Sequence, residues 1–72
     1  MPLVQIKGVA GYLSDDEKQT LIKRVTDAVV SVEGEALRQV TWVIVEDVAS
    51  GAWGVGGEIV STEGIRKMGG RA

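Results

Sequence analysis

Pro2, the second residue of the chain, could be reactive through its backbone nitrogen rather than through a side chain. Methionine is normally removed when the next residue is as small as proline, and the chain then begins with a secondary amine. Such an amine can act as a general base or attack a carbonyl to give an iminium. A free α-amino group has a pKa near ~8, and a dry pocket or a nearby cation lowers that pKa further. Pro2 is therefore a candidate catalytic base, with an ordinary, inert chain start as the alternative.

Composition removes most other kinds of chemistry from consideration. The 72 residues include no cysteine and no histidine, which excludes disulfides, thiolate zinc sites and the usual histidine base. Eight basic and ten acidic residues are interspersed, without the basic stripe of a nucleic-acid-binding protein. No apolar run approaches ~18 residues and no signal-peptide pattern is present, so we expect a cytoplasmic protein without a membrane segment.

Two strands are predicted on either side of a helix. The stretch from Leu3 to Val9 indicates a strand with one dry face, and Gly8, Gly11 and Tyr12 are expected in the loop after it. A near-continuous run of β-forming residues at positions 40–45 predicts a second strand that is buried on both faces. The length of the connection favours a parallel pair with a right-handed crossover.

The helix between these strands has clear start and stop signals. Ser14 and Glu17 have the spacing of a capping box, so the helix is expected to begin at about Asp15. It should end near Gly34, since glycine tolerates the left-handed conformation common just after a helix. Its apolar stripe is predicted at five positions, Leu21, Val25, Ala28, Val29 and Val32.

The last third of the chain is rich in glycine. Trp53 stands in such a run, and Glu58–Val60 predicts a short third strand in a tight hairpin or bulge. From Ser61 onward we expect an irregular, frayed segment. The predicted organisation is a βαβ domain over residues 1–60 and a C-terminal tail over residues 61–72.

The predicted fold class is α+β, and it leaves a structural problem. One helix covers one face of a two-stranded parallel sheet, and a sheet with an uncovered face is not independently stable. A domain of this size buries only about 60% of its chain's surface on folding. Pairing edge to edge with a second copy would extend the sheet to four strands, so we expect an oligomer.

Together these features resemble the 4-oxalocrotonate tautomerase family. The resemblance covers roughly Pro2 to Glu58 and rests on five elements: Pro2 opening a strand, the helix start at residues 14–18, Leu21-Ile22, the strand at residues 43–45 and the run at residues 53–58. It implies a βαβ subunit with a terminal hairpin, assembled as dimers and commonly as hexamers of three dimers. It also implies that the N-terminal proline moves a proton between enol and keto forms of a small carboxylic acid, such as a 2-hydroxydienoate, without cofactor or metal.

The resemblance assigns roles to individual residues. It makes Pro2 the catalytic base and Trp53 a wall of the substrate pocket, although core filling or an intersubunit anchor are alternatives for Trp53. The family's two substrate-binding arginines are absent from their expected positions. Leu13 stands at the first, just before the helix, and Trp42 (or Thr41, if the alignment slips by one) stands at the second.

Other residues must then supply the positive charge. Arg38 is the best candidate for binding the substrate's carboxylate, with a solvated surface arginine as the alternative. Lys7 is expected on the strand face opposite Pro2 and therefore away from the proline of its own chain. The Lys7 of a neighbouring subunit can still approach that proline. Trp42 is expected to serve packing more than ligand contact, and in place of an arginine it would make its corner of the pocket apolar.

Three functions are compatible with this pattern. The first is a proline-dependent tautomerase or related lyase with an altered substrate preference, favouring a monoacid with an apolar tail such as phenylenolpyruvate. The second is a non-catalytic subunit that pairs with an arginine-bearing paralogue in a hetero-oligomer. The third is a binding or structural protein that kept the fold and lost the chemistry.

Overall fold

The chain forms two small sheets and two α-helices in a computed structural model that describes residues 1–71. In chain order the elements are β1 (Leu3–Val9), α1 (Asp15–Glu33), a 3-10 helix (Glu35–Val40), β2 (Trp42–Val48), β3 (Trp53–Val55), β4 (Glu58–Val60) and α2 (Thr62–Met68). β1 pairs with β2, and β3 pairs with β4. The predicted βαβ unit with a C-terminal hairpin is confirmed.

β1 and β2 are parallel, as the sequence predicts, and Leu3 lies opposite Trp42 at the start of the ladder. The pairing extends beyond β1 at its start, where the Trp42 N–H donates to the Pro2 carbonyl over 3.0 Å. It extends beyond the other end too, where the Ala10 N–H donates to the Val48 carbonyl over 2.7 Å. Gly8, expected in the loop, lies inside β1 because the ladder continues through it.

α1 begins and ends where its signals predict. The Ser14 Oγ accepts a hydrogen bond from the Glu17 N–H at 3.1 Å, and the Glu17 Oε1 accepts one from the Ser14 N–H at 3.0 Å. These reciprocal bonds satisfy two backbone donors that the first turn otherwise leaves free. Gly34, with φ of 111°, ends the helix and donates to the Val30 carbonyl over 2.9 Å.

The buried stripe of α1 differs from the predicted one. Ala28 and Val32 are exposed, Val32 by 86%, whereas Thr26 is half-buried and Val30 is buried. The Thr26 hydroxyl donates to the Ile22 carbonyl over 2.8 Å. Its polar atom is thereby satisfied within the helix, so threonine can occupy a position that the apolar pattern gave to other residues.

The prediction that β2 is buried on both faces was wrong for a single chain. Val43 and Val45 are half-buried beneath α1, but Trp42 is 56% exposed and Ile44 is also exposed. The strand also starts later than expected, because the residues up to Val40 form the 3-10 helix. Together with Leu3 of β1, which is 54% exposed, Trp42 and Ile44 form an apolar surface that we call the open face.

The C-terminal part contains a hairpin and then a helix. Gly56 and Gly57 have φ of 59° and 84°, which suits the two-residue turn between β3 and β4, since such turns need two positive φ values. The irregular tail expected from Ser61 was wrong, because α2 begins there. The Ser61 Oγ caps it by accepting from the Gly64 N–H at 3.0 Å.

The shape of one chain indicates that its apolar surface is only partly covered. Its radius of gyration is 14.6 Å, against about 11 Å for a compact chain of this length. Among residues 1–71, only Val9 and Val30 are buried apolar residues. No helix in this part of the chain is long and apolar enough to cross a membrane.

Candidate active site

An apolar pocket of about 370 Å³ lies at the carboxyl ends of β1 and β2. Ile6, Val9 and Val45 supply the strand side, and Ile65 and Met68 of α2 supply another wall. The volume is within the usual range for sites that hold small organic molecules. The pocket therefore fits an apolar portion of a small ligand.

The structure brings two of the predicted site residues together in this pocket. Leu13, at the end of the loop before α1, and Trp53, at the start of β3, both line it. Tyr12, which the sequence analysis placed only in a loop, lines it as well. Indole, phenol and alkyl groups give walls that suit an aromatic or alkyl substituent.

Pro2 and Trp42 lie at the opposite end of the strands and do not line the pocket. Pro2 is half-buried and precedes the seven residues of β1, which span roughly 20 Å at the usual rise per residue. In the structure Met1 precedes Pro2 and is 80% exposed, so the Pro2 nitrogen is there an amide. Within one chain, the candidate base and the apolar pocket are separated by the length of a strand.

Arg38 is occupied by two ion pairs. Its Nε donates to the Glu35 Oε1 over 2.7 Å, and its Nη1 donates to the Asp27 Oδ1 over 2.7 Å. The bonds to Glu35 and Asp27 hold the pKa of Arg38 above its ordinary value, and the same guanidinium holds the pKa of Glu35 below its own. Arg38 does not line the pocket, and in the 3-10 helix it serves to connect that helix with α1.

Two charged residues of the strands line the pocket, Lys7 and Asp47. The Lys18 Nζ of α1 lies 2.6 Å from the Asp47 Oδ2, and this hydrogen bond raises the pKa of Lys18. Asp47 is thereby compensated by the helix that covers the sheet. Lys7 is exposed and lies opposite Glu46 in the strand register.

Two arginines that were not predicted as functional residues hold α2 against the loop before α1. The Arg71 guanidinium lies 4.7 Å from the centre of the Tyr12 ring and binds both oxygens of Glu17, with Nη1 2.8 Å from Oε1. The bonds from Arg71 and from the Ser14 N–H lower the pKa of Glu17 to about 2. Arg66 also reaches the loop, and its Nη2 donates to the Gly11 carbonyl over 2.9 Å.

A close approach between α2 and the same loop explains one glycine. A Cβ on Gly69 would run into the hydroxyl of Tyr12, so glycine is needed there for space. Signals for this packing exist in the sequence: Ser61 precedes a turn, and Ile65 and Met68 are three residues apart. They belong to a segment too short to show a full apolar stripe, which is why the periodicity alone did not reveal α2.

Comparison with known proteins decides the family. Residues 2–63 match the family described as "Tautomerase enzyme". A 2-hydroxymuconate tautomerase of Pseudomonas putida is 39% identical over 61 residues, which are 85% of this chain and 94% of that protein. The chain belongs to the 4-oxalocrotonate tautomerase family. It is accordingly a tautomerase-family isomerase.

Solved structures agree with this chain in fold. DmpI from Helicobacter pylori is 35% identical, with a TM-score of 0.71 over 82% of this chain and 95% of that chain. An unfused 4-OT without ligand is 28% identical, with a TM-score of 0.73 over 82% and 93%. The family match ends at residue 63, so Arg66 and Arg71 lie beyond it.

Proposed function

We propose that the processed chain is an enol–keto tautomerase in which Pro2, freed by removal of Met1, is the general base. The observation that carries the proposal is the pairing of family membership with an apolar pocket walled by Trp53. The Pro2 carbonyl is fixed to β2 by the Trp42 N–H, so the amine stands on a rigid element. Such an amine can take a proton from an enol hydroxyl and return it to carbon near neutral pH.

The site is proposed to be shared between two copies of the chain. In the described part of the chain, residues 1–71, β1 pairs only with β2, so its other edge is free there. A two-fold axis beside that edge would pair β1 antiparallel with its copy and place each Pro2 beside the other chain's Val9. The separation of Pro2 from the pocket within one chain then becomes proximity between chains. The dry walls would lower the pKa of the Pro2 amine from near ~8.

Assembly beyond the dimer follows from the open face. Leu3, Trp42 and Ile44 stay uncovered when β1 pairs through its edge, because edge pairing covers no sheet face. Stacking three dimers through these faces would cover them, and a homohexamer is the proposed state. Each end of the sheet would then meet a neighbouring chain.

The proposed substrates are enolpyruvate-type acids or 2-hydroxydienoates, with a preference for one carboxylate and an apolar tail. Leu13 and Trp42 stand where the family resemblance expects arginines, so a second carboxylate lacks its bidentate partner. Trp53, Tyr12 and Met68 offer an apolar environment for the tail instead. Phenylenolpyruvate combines these features.

The replacement of both arginines also supports a second candidate function. A chain without them can serve as the non-catalytic subunit of a hetero-oligomer, with a paralogue supplying the cations. In that case the purified chain alone would be inactive and would gain activity only when the paralogue is added.

The test begins with an intact mass, which shows whether Met1 is absent and how many chains assemble. A preparation without Met1 should turn over phenylenolpyruvate and take one label from a 3-halopropiolate-type reagent on Pro2. Pro2→Ala keeps a primary amine but should lose at least ~100-fold in kcat/KM, since general base catalysis contributes on that order. Full activity in a preparation shown to retain Met1 would refute Pro2 as the base.

A further inference from the structure

Two arginines of the C-terminal segment converge on the loop between β1 and α1. Arg66 donates to the Gly11 carbonyl over 2.9 Å, and Arg71 donates to the Tyr12 carbonyl over 3.3 Å and to Glu17. This loop ends at Leu13, the position where the resemblance expects a substrate-binding arginine. The structure therefore places guanidinium groups beside the position where the sequence lacks one.

The two arginines differ in how much of their charge is compensated. Arg71 binds both carboxylate oxygens of Glu17 and stacks on Tyr12, so it is an anchor. Within residues 1–71, Arg66 bonds only to backbone carbonyls, those of Gly11 and, over 3.4 Å, Arg71. Among the carboxylates of residues 1–71, none forms an ion pair with Arg66.

Arg66 does not itself line the pocket, but residues next to it do. Its chain neighbour Ile65 lines the pocket, and so does Tyr12, the chain neighbour of its acceptor Gly11. Arg66 is exposed, so an anion can reach it. Two of the five guanidinium N–H groups are used by the carbonyls, and the three others are enough to bind a carboxylate through two hydrogen bonds.

We propose that Arg66 is the residue that binds the carboxylate of an apolar monoacid at the rim of this pocket, while Arg71 is a positioning residue that holds α2 in place. The assignment rests on the proposed function and gives the site a second cation besides Lys7, which lines the pocket itself. The acid's tail lies among Leu13, Trp53 and Met68, and its carboxylate lies at Arg66. A cation at the end of an apolar pocket selects an apolar acid over both a neutral analogue and a diacid.

The test is the binding of trans-cinnamate and of cinnamamide, which has a similar shape but no charge, to the assembled protein by calorimetry. The wild type should bind cinnamate more tightly than cinnamamide. Arg66→Gln should weaken cinnamate binding by about 10-fold, since hydrogen bonds to charged groups have roughly that effect. Cinnamamide binding should not change, and Arg66→Lys should restore part of the loss.

Lys67→Gln is the matched control. Lys67 is the next residue of α2, pairs with Glu63 over 3.4 Å on the surface, and its loss changes the net charge by the same amount. It should leave the affinities for both probes unchanged. In turnover of phenylenolpyruvate, Arg66→Gln should raise KM by about 10-fold and leave kcat nearly unchanged, because the contact is made equally before and during the reaction.

Each outcome decides between the proposals. An unchanged ratio of cinnamate to cinnamamide affinity in Arg66→Gln, or an equal loss in Lys67→Gln, would overturn the assignment of Arg66. An inactive wild type whose cinnamate binding still depends on Arg66 would keep the carboxylate site and refute the tautomerase proposal. An active wild type without that dependence would refute only the assignment.

Discussion

The two ends of β1 hold different parts of the chemistry. At its start stands Pro2, beside the exposed Leu3 and Trp42 and outside the apolar pocket. At its other end an apolar pocket collects residues from the strands, the loop before α1, the hairpin and α2. The start of β1 therefore holds the candidate base, and its other end holds the candidate substrate pocket.

This difference follows from what a βαβ unit can do with few residues. A single helix covers one sheet face, and β3, β4 and α2 contribute residues to the pocket at the carboxyl ends of the strands. At the start of the strands the 3-10 helix leads into β2, and Pro2 there is only half-buried. A second copy related by a two-fold axis brings the unlike ends together, because antiparallel pairing places the start of one strand beside the end of its copy. In such a dimer, the Pro2 of one chain would lie beside the pocket of the other.

The most direct test of whether Pro2 and the pocket of one site come from different chains is to mix two defective variants. Pro2→Ala keeps the pocket and removes the base, and Leu13→Glu keeps the base and puts a repelling carboxylate in the pocket. Each variant alone should be nearly inactive. When the two are unfolded and refolded together, random pairing should restore about a quarter of wild-type sites, because each mixed dimer regains one intact site.

The control is a mixture of Pro2→Ala with the wild type, which should show only the activity of the undamaged sites. Recovery in the double mixture requires that Pro2 and the pocket of one site come from different chains. No recovery, with mass spectrometry showing mixed oligomers, would place both halves in one chain. Sedimentation that finds a stable folded monomer at micromolar concentration would contradict the assembly itself.

A second prediction concerns the end that holds Pro2. Phenylenolpyruvate should be turned over with a higher kcat/KM than 2-hydroxymuconate.

Because Trp42 lies next to the Pro2 carbonyl, Trp42→Arg should raise the relative kcat/KM for the diacid by about 10-fold. This gain is smaller than the ~10²–10³ in rate that removal of such a donor typically costs. Arg38→Ala is the control and should not change the preference, since Arg38 is held by Asp27 and Glu35. A diacid preference that vanishes in Arg38→Ala would contradict the claim.

Sequence reasoning succeeded where the determining contacts are local. Ser14, Glu17 and Gly34 fix the ends of α1 through bonds to residues a few positions away, and the glycine pair at 56–57 fixes the hairpin turn. Such signals are visible in the sequence because partner and position are close along the chain. The parallel pairing of β1 with β2 also followed, since the connection between them is long enough for a helix.

It failed where a polar side chain is satisfied locally and where a residue's role depends on a distant partner. The Thr26 hydroxyl bonds to the Ile22 carbonyl within the helix, so Thr26 can be half-buried, and a count of apolar residues does not register that. Arg38 could be identified as a cation but not as one already paired with Asp27, eleven residues away. Arg71 meets Glu17 across 54 positions, so neither its anchoring role nor that of α2 followed from local patterns.

The smallest expected effect tests the anchoring of α2 at the pocket end. The Arg71 guanidinium and the Ser14 N–H lower the pKa of Glu17 from 4.5 to about 2, so the bonds of this carboxylate stabilise the folded chain fully above pH 4.5. This stabilisation is lost as the pH falls through about 2, where Glu17 becomes protonated. Glu17→Gln removes the charge but keeps a capping side chain, so it should lower the melting temperature at pH 7 by only about 1–3 °C, as expected for an exposed pair.

The difference in melting temperature between wild type and variant should be constant from pH 7 to 4.5 and shrink below that. Glu63→Gln, which breaks the surface pair with Lys67, is the control, and a difference for Glu17→Gln that grows toward low pH would show that Arg71 does not anchor α2 through Glu17.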